Sequence, residues 1–263
     1  MTQHVTPFLY HASAHAFSAH FTRPTNHLVE VQAGISLPIN GGHGSSRVDN
    51  FRYNETVSFK SGYAQVSGSE KFDSDGNCIH TTLASSVVEG LNILDVVTAD
   101  RVVSRIASSW KSGDEPESVL LGSRFENLRI AGHKIDVELH HDLALKLKTF
   151  AQATDQFASN AEFRKMAEHP FGTSKSPKKK HDSCGVICCS LVKELKTESR
   201  SGITLHGHHG HVLEVPEFGK VFLAELVLTH GAKSLTMIRF ELGSPNGGGG
   251  TAGQANSNGR PPM

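Results

Sequence analysis

The 263-residue chain balances 26 Lys plus Arg against 26 Asp plus Glu, so its formal charge is zero with neutral histidines. That balance argues against general nucleic-acid binding, which calls for a basic excess or stripe. No stretch reaches the roughly 18 consecutive apolar residues of a membrane-spanning helix.

The first residues, Met1 to Phe17, lack a basic region followed by an apolar core, so they do not read as a secretory signal. The expected compartment is the cytoplasm by default, with leaderless export left open. Cys78, Cys184, Cys188 and Cys189 fit a reducing environment without demanding a disulfide framework. Phe8, Tyr10, Phe17 and Phe21 suit a packed N-terminal strand, in which His11 and His15 share a face.

Glu55 to Phe72 alternates apolar with polar residues at the period of a half-buried strand. Asp73-Ser74-Asp75-Gly76-Asn77 reads as the turn that closes it, with Gly76 free to take positive φ. The turn lacks the spaced Glu of a calcium loop. From Ile79 to Trp110 the chain is rich in β-branched residues, interrupted at Gly90 and Asp95. Further short runs follow Asp114 to Glu117, with a turn at Ala131-Gly132-His133. Strands at this spacing predict a mainly β fold, a sandwich, jelly roll or β-solenoid.

One packed helix is expected at about 149–168. Thr149 and Gln152 form a capping-box pair, and Phe150, Ala153, Phe157 and Ala161 fall on one face. Phe163, Met166 and Ala167 widen the apolar side. Leu143, Leu145 and Leu147 suit either a strand or a helix stripe, and the helix start is placed at Thr149 because the cap lies there. Residues 171–181 read as a polar loop that includes the basic run Lys175 to His181. Cys188 and Cys189, adjacent on a strand, point to opposite faces and read as inert thiols. Strands at Lys220 to Thr229 and Ser234 to Leu242 are joined through His230-Gly231-Ala232-Lys233. The Gly-rich segment 244–263 has little to bury and reads as a disordered tail or tether. That leaves 1–243 as a single β-rich domain.

The seventeen histidines are the main chemical lead, because imidazole is the commonest metal ligand. Six residues are candidates: His206, His208, His209, His211, Glu214 and His230. On a strand, His206 and His208 would share one face, and His209 and His211 the other. A His-x-His pair with the Glu214 carboxylate and His230 would suit a divalent Zn, Fe, Mn or Cu ion. His140 and His141 point to opposite sides of a strand and are poor partners. No GxGxxG, P-loop or Gly-x-Ser-x-Gly elbow occurs, so no nucleotide cofactor is expected.

Gly202, His209, His211, Glu214 and Gly219 imperfectly resemble the first metal motif of cupin jelly rolls. Its spacings are off by one residue, and no second motif follows. That resemblance would imply a metal-dependent enzyme using His209, His211 and Glu214. The block from Ser85 to Ile106, with Phe125 to Gly132, resembles bacterial choice-of-anchor surface proteins over roughly 55–140. This second resemblance implies an all-β fold without established catalysis. The expected function is a non-catalytic β-rich binding or structural protein. It would self-associate or bind a protein partner, and respond to metal or pH through its histidines.

Overall fold

The computed structural model describes residues 8–111, 114–120, 122–168, 185–197 and 202–260. The expected loop at 171–181 and Cys184 lie outside them. In chain order the described elements are β1 (Leu9–Arg23), β2 (His27–Gln32), β3 (Ile35–Ser36), β4 (Gly42–Tyr53), β5 (Val57–Phe72), β6 (Cys78–Ile93) and β7 (Val97–Lys111). Then come β8 (Glu117–Val119), β9 (Arg124–Glu126), β10 (Arg129–Ile130), β11 (His133–Leu139) and the helices α1 (His141–Leu145), α2 (Phe150–Ser159) and α3 (Ala161–Glu168). The chain closes with β12 (Val186–Ser190), β13 (Val192–Thr197), β14 (Thr204–His206), β15 (Val212–Val215), β16 (Gly219–Thr229), β17 (Lys233–Leu242) and β18 (Gly247–Arg260).

These strands form two antiparallel sheets of nine strands each, with no closed barrel. One runs β14-β15-β16-β17-β18-β1-β2, with β12 on β16 and β3 on β1. The other runs β13-β11-β10-β7-β6-β5-β4, with β8 and β9 on β7. The sheets meet as a sandwich, β1 and β18 packing over β5, β6 and β7. Antiparallel hairpins throughout exclude the parallel coils of a β-solenoid.

Alternation explains the interface. Val57, Phe59, Ala64 and Val66 of β5 and Ala84, Val88, Leu91 and Ile93 of β6 are buried. They face Ala14, Ala16, Phe17 and Ala19 of β1 and the inner side of β18. The hydroxyls caught between the sheets are satisfied, as burial requires. Ser86 Oγ donates to the His15 carbonyl at 2.7 Å and Ser104 Oγ to that of Leu235 at 3.0 Å. Thr82, Ser108, Ser118 and Ser257 join their hydroxyls across the sheets at 2.6–2.9 Å.

The expected disordered tail is corrected. Residues 247–260 form β18, a central strand held between β17 and β1. Glycine normally weakens a strand because it has no side chain to pack. Here the missing side chains are the fit: a Cβ on Gly250 would sit 2.7 Å from Ala19 Cβ and 2.8 Å from Phe240 Cζ. The ring of Phe240, itself fully buried beside Phe17 at 6.2 Å, occupies that space.

The single helix is also corrected. The capping box at Thr149 and Gln152 is present, but Asn160 leaves the helical conformation at φ −104, ψ 107 and ends α2. Its Oδ1 then accepts from Glu162 N at 3.0 Å and Phe163 N at 3.2 Å, starting α3. Leu143 lies on the short α1, and its backbone N–H is capped by the His140 side chain. Helix α3 packs on β12 and α2 on β16, burying Phe150, Ala153, Phe163, Met166 and Ala167.

Candidate metal centre

The histidine cluster does not lie on one strand. His206 ends β14, residues 207–210 form a turn, and β15 starts at Val212. Gly207 at φ 81, His209 at φ 64 and Gly210 at φ 70 all take left-handed backbone. Strand alternation therefore fails, and the faces expected for these histidines are corrected. His208 and His209, neighbours in sequence, turn the same way, their rings 4.3 Å apart.

A third group meets them from α3. Glu162 Oε1 is 3.3 Å from His209 Nε2 and 4.0 Å from His208 Nε2. Those ligand atoms all lie within 4.8 Å of one another. His209 Nε2 is shielded from solvent and makes no hydrogen bond among the described residues, despite the carboxylate beside it. A tetrahedral zinc with arms of about 2.05 Å to nitrogen and about 2.1 Å to oxygen separates its ligands by about 3.4 Å. The Glu162–His209 distance matches that edge.

His140 borders this group. Its Nδ1 accepts from Leu143 N at 3.2 Å. Burial holds its pKa below the ordinary value, the Glu162 carboxylate pulls the other way, and His209 adds to the lowering.

The other predicted ligands go elsewhere. His206 Nε2 meets Glu214 Oε2 at 2.9 Å across the β14–β15 hairpin. His211 is 2% exposed and points inward under Gly207, where a Cβ would lie 2.7 Å from its Nδ1. His230 packs on Phe150 of α2 at 4.2 Å. Among the described residues, His209, His211 and Glu214 are not gathered as a cupin-like ligand set would be. The reason is the turn, which sends His211 into the core while His209 stays at the rim. Glu162 was missed because its helix lies far away in sequence and meets the turn only through the packing of α3.

A second group sits on the other sheet. Glu70, Cys78 and His80 also bring one ligand atom each within 4.8 Å of the others. The remaining thiols among the described residues differ: Cys188 is half-buried, and Cys189 is buried with its pKa pushed up to about 12 by desolvation.

No helix among the described residues is long and apolar enough to cross a membrane. Comparison with curated proteins and with solved structures finds no match. A family match ends at Thr229, the last residue of β16, so β17 and β18 lie beyond it. That match, to the family described as Domain of unknown function (DUF8256), spans residues 8–229, most of the chain, and the chain belongs to this family.

Proposed function

We propose that the protein is a non-catalytic β-sandwich binding or structural protein whose helical flank is fastened to the sheet by a divalent cation. The observation that carries this reading is the convergence of Glu162 from α3 with His208 and His209 from the β14–β15 turn. Two imidazoles and a carboxylate suit Zn, Fe, Mn or Cu(II) at the rim of the fold. A cation there joins two elements far apart in sequence and makes the placement of α3 depend on metal. Self-association belongs to the same reading. Strands β2 and β4 end the two sheets, and β2 exposes Leu28 and Val31.

The test is metal content and metal titration of the untagged protein, set against a His208→Ala/His209→Ala variant. Bound metal lost in the variant is the expected result. A ligand at about a hundred times its Kd adds about 2.7 kcal/mol of stability, read as a raised Tm. A folded sample that takes up none of the four metals at this site overturns the reading. Light scattering across a concentration series tests self-association.

A further inference from the structure

We propose that Glu70, Cys78 and His80 form a second, independent metal site, selective for a thiophilic divalent cation such as zinc. The site follows from strand geometry. Cys78 and His80 lie two apart on β6, so their side chains leave the same face. Glu70 on β5 is the direct cross-strand partner of His80, two register steps from the Phe72–Cys78 pair and so on the same face. Three different donor types therefore converge from one hairpin, in a register set by the Asp73–Asn77 turn.

The distances suit a tetrahedral ion. Cys78 Sγ is 3.6 Å from His80 Nε2, and arms of about 2.3 Å to sulfur and about 2.05 Å to nitrogen separate those ligands by about 3.6 Å. Glu70 Oε2 is 4.0 Å from Sγ, and its exposed side chain closes the remaining gap by torsion. Three protein ligands leave the fourth position to water.

The surroundings orient the imidazole. Tyr10 Oη lies 2.9 Å from His80 Nδ1, which directs Nε2 toward the thiol. Phe8 stacks on the His80 ring at 4.2 Å, and Trp110 adds a tilted contact at 5.7 Å. An ion on Nε2 fixes the proton on Nδ1, which then donates to Tyr10 Oη. That is the outer partner a ligating histidine normally has. Burial lowers the His80 pKa, and the Glu70 carboxylate pulls it the other way. Burial and the Glu70 carboxylate raise the Cys78 pKa. Binding therefore expels the thiol proton to solvent and forms one metal–sulfur bond, with no change of oxidation state.

The experiment is a Co2+ titration of the reduced full-length protein, followed by the thiolate-to-cobalt charge-transfer band, with Zn2+ as competitor. The expected result is a band that zinc abolishes, that is lost in Cys78→Ser, and whose midpoint rises about tenfold or more in Glu70→Gln. The band should persist in His208→Ala/His209→Ala, which separates this site from the turn cluster. Glu70→Gln changes an exposed side chain and keeps the test valid if Cys78→Ser folds poorly. No band in the wild-type protein, a band surviving in Cys78→Ser, or an unchanged midpoint in Glu70→Gln overturns the proposal.

Discussion

The two ligand clusters contrast a local construction with a tertiary one. Glu70, Cys78 and His80 lie on one hairpin, and its ladder alone brings them together. Glu162, His208 and His209 come from a helix and a distant turn, and meet only once α3 has docked on β12. Each cluster has one distance at a tetrahedral edge and one longer, 3.6 and 4.0 Å against 3.3 and 4.0 Å. Their donors differ, because a thiolate favours zinc and softer ions while imidazole with carboxylate accepts a wider set. A site on a rigid ladder is held before metal arrives, whereas a site between elements moves with the packing beneath it.

Breaking the turn should separate the two most sharply. Gly207→Ala forces a side chain into left-handed backbone and onto His211, for a combined loss of about 2–4 kcal/mol in urea unfolding. Metal uptake by the turn cluster should go with it, while the Cys78 cobalt band remains. A stability change within about 0.5 kcal/mol would show that His211 does not depend on that space. At the helix, Glu162→Gln should weaken metal binding at the turn about tenfold or more and leave metal-free stability within about 0.5 kcal/mol. Equal metal affinity in wild type and variant removes Glu162 from the ligand set.

Asn160→Ala tests whether helix placement matters. Losing this cap should cost about 1 kcal/mol and weaken binding at the turn, with no effect on the hairpin site. Acid should also weaken the fold. Burial is the leading cause that lowers the pKa values of His15, His80 and His140 below the ordinary 6.5. Below 6.5 the unfolded chain binds more protons than the native one, so stability held above that value is lost as pH falls toward the lowered values. Metal-free unfolding on either side of 6.5 reads this slope, and a gain in stability on acidification contradicts it. The smallest effect is expected from Tyr10→Phe, which keeps the ring but drops one hydrogen bond, about 1 kcal/mol or less in stability. It should weaken only the hairpin site; a matching loss at the turn would show that the two sites are coupled.

Much of the scaffold was legible in the residues. Alternation from Glu55 to Phe72 and the β-branched run from Ile79 to Trp110 gave the long strands, Gly76 the left-handed position of a turn between them at φ 78, and Thr149 with Gln152 the helix start. Cys188 and Cys189 do fall on opposite sides of a strand, one half-buried and one buried. The hairpin cluster left a readable signal that went unused. Once Asp73–Asn77 is taken as the turn, counting outward sets Cys78 against Phe72 and His80 against Glu70. The turn cluster left a weaker one, since glycines on both sides of His208-His209 signal a turn, but nothing local points to Glu162.

Short-range physics was thus carried by the chain itself: strand period, caps and turn residues depend on atoms a few positions apart. The place of β18 was not, because its glycines become an asset only when the Phe240 ring and β1 fill the space beside them. Nor was the meeting of Glu162 with His208 and His209, which rests on Asn160 restarting the helix and on α3 packing against β12. Composition records which side chains are missing or charged. Only the packed sheets and helices decide what occupies the gap and which charge faces which ring.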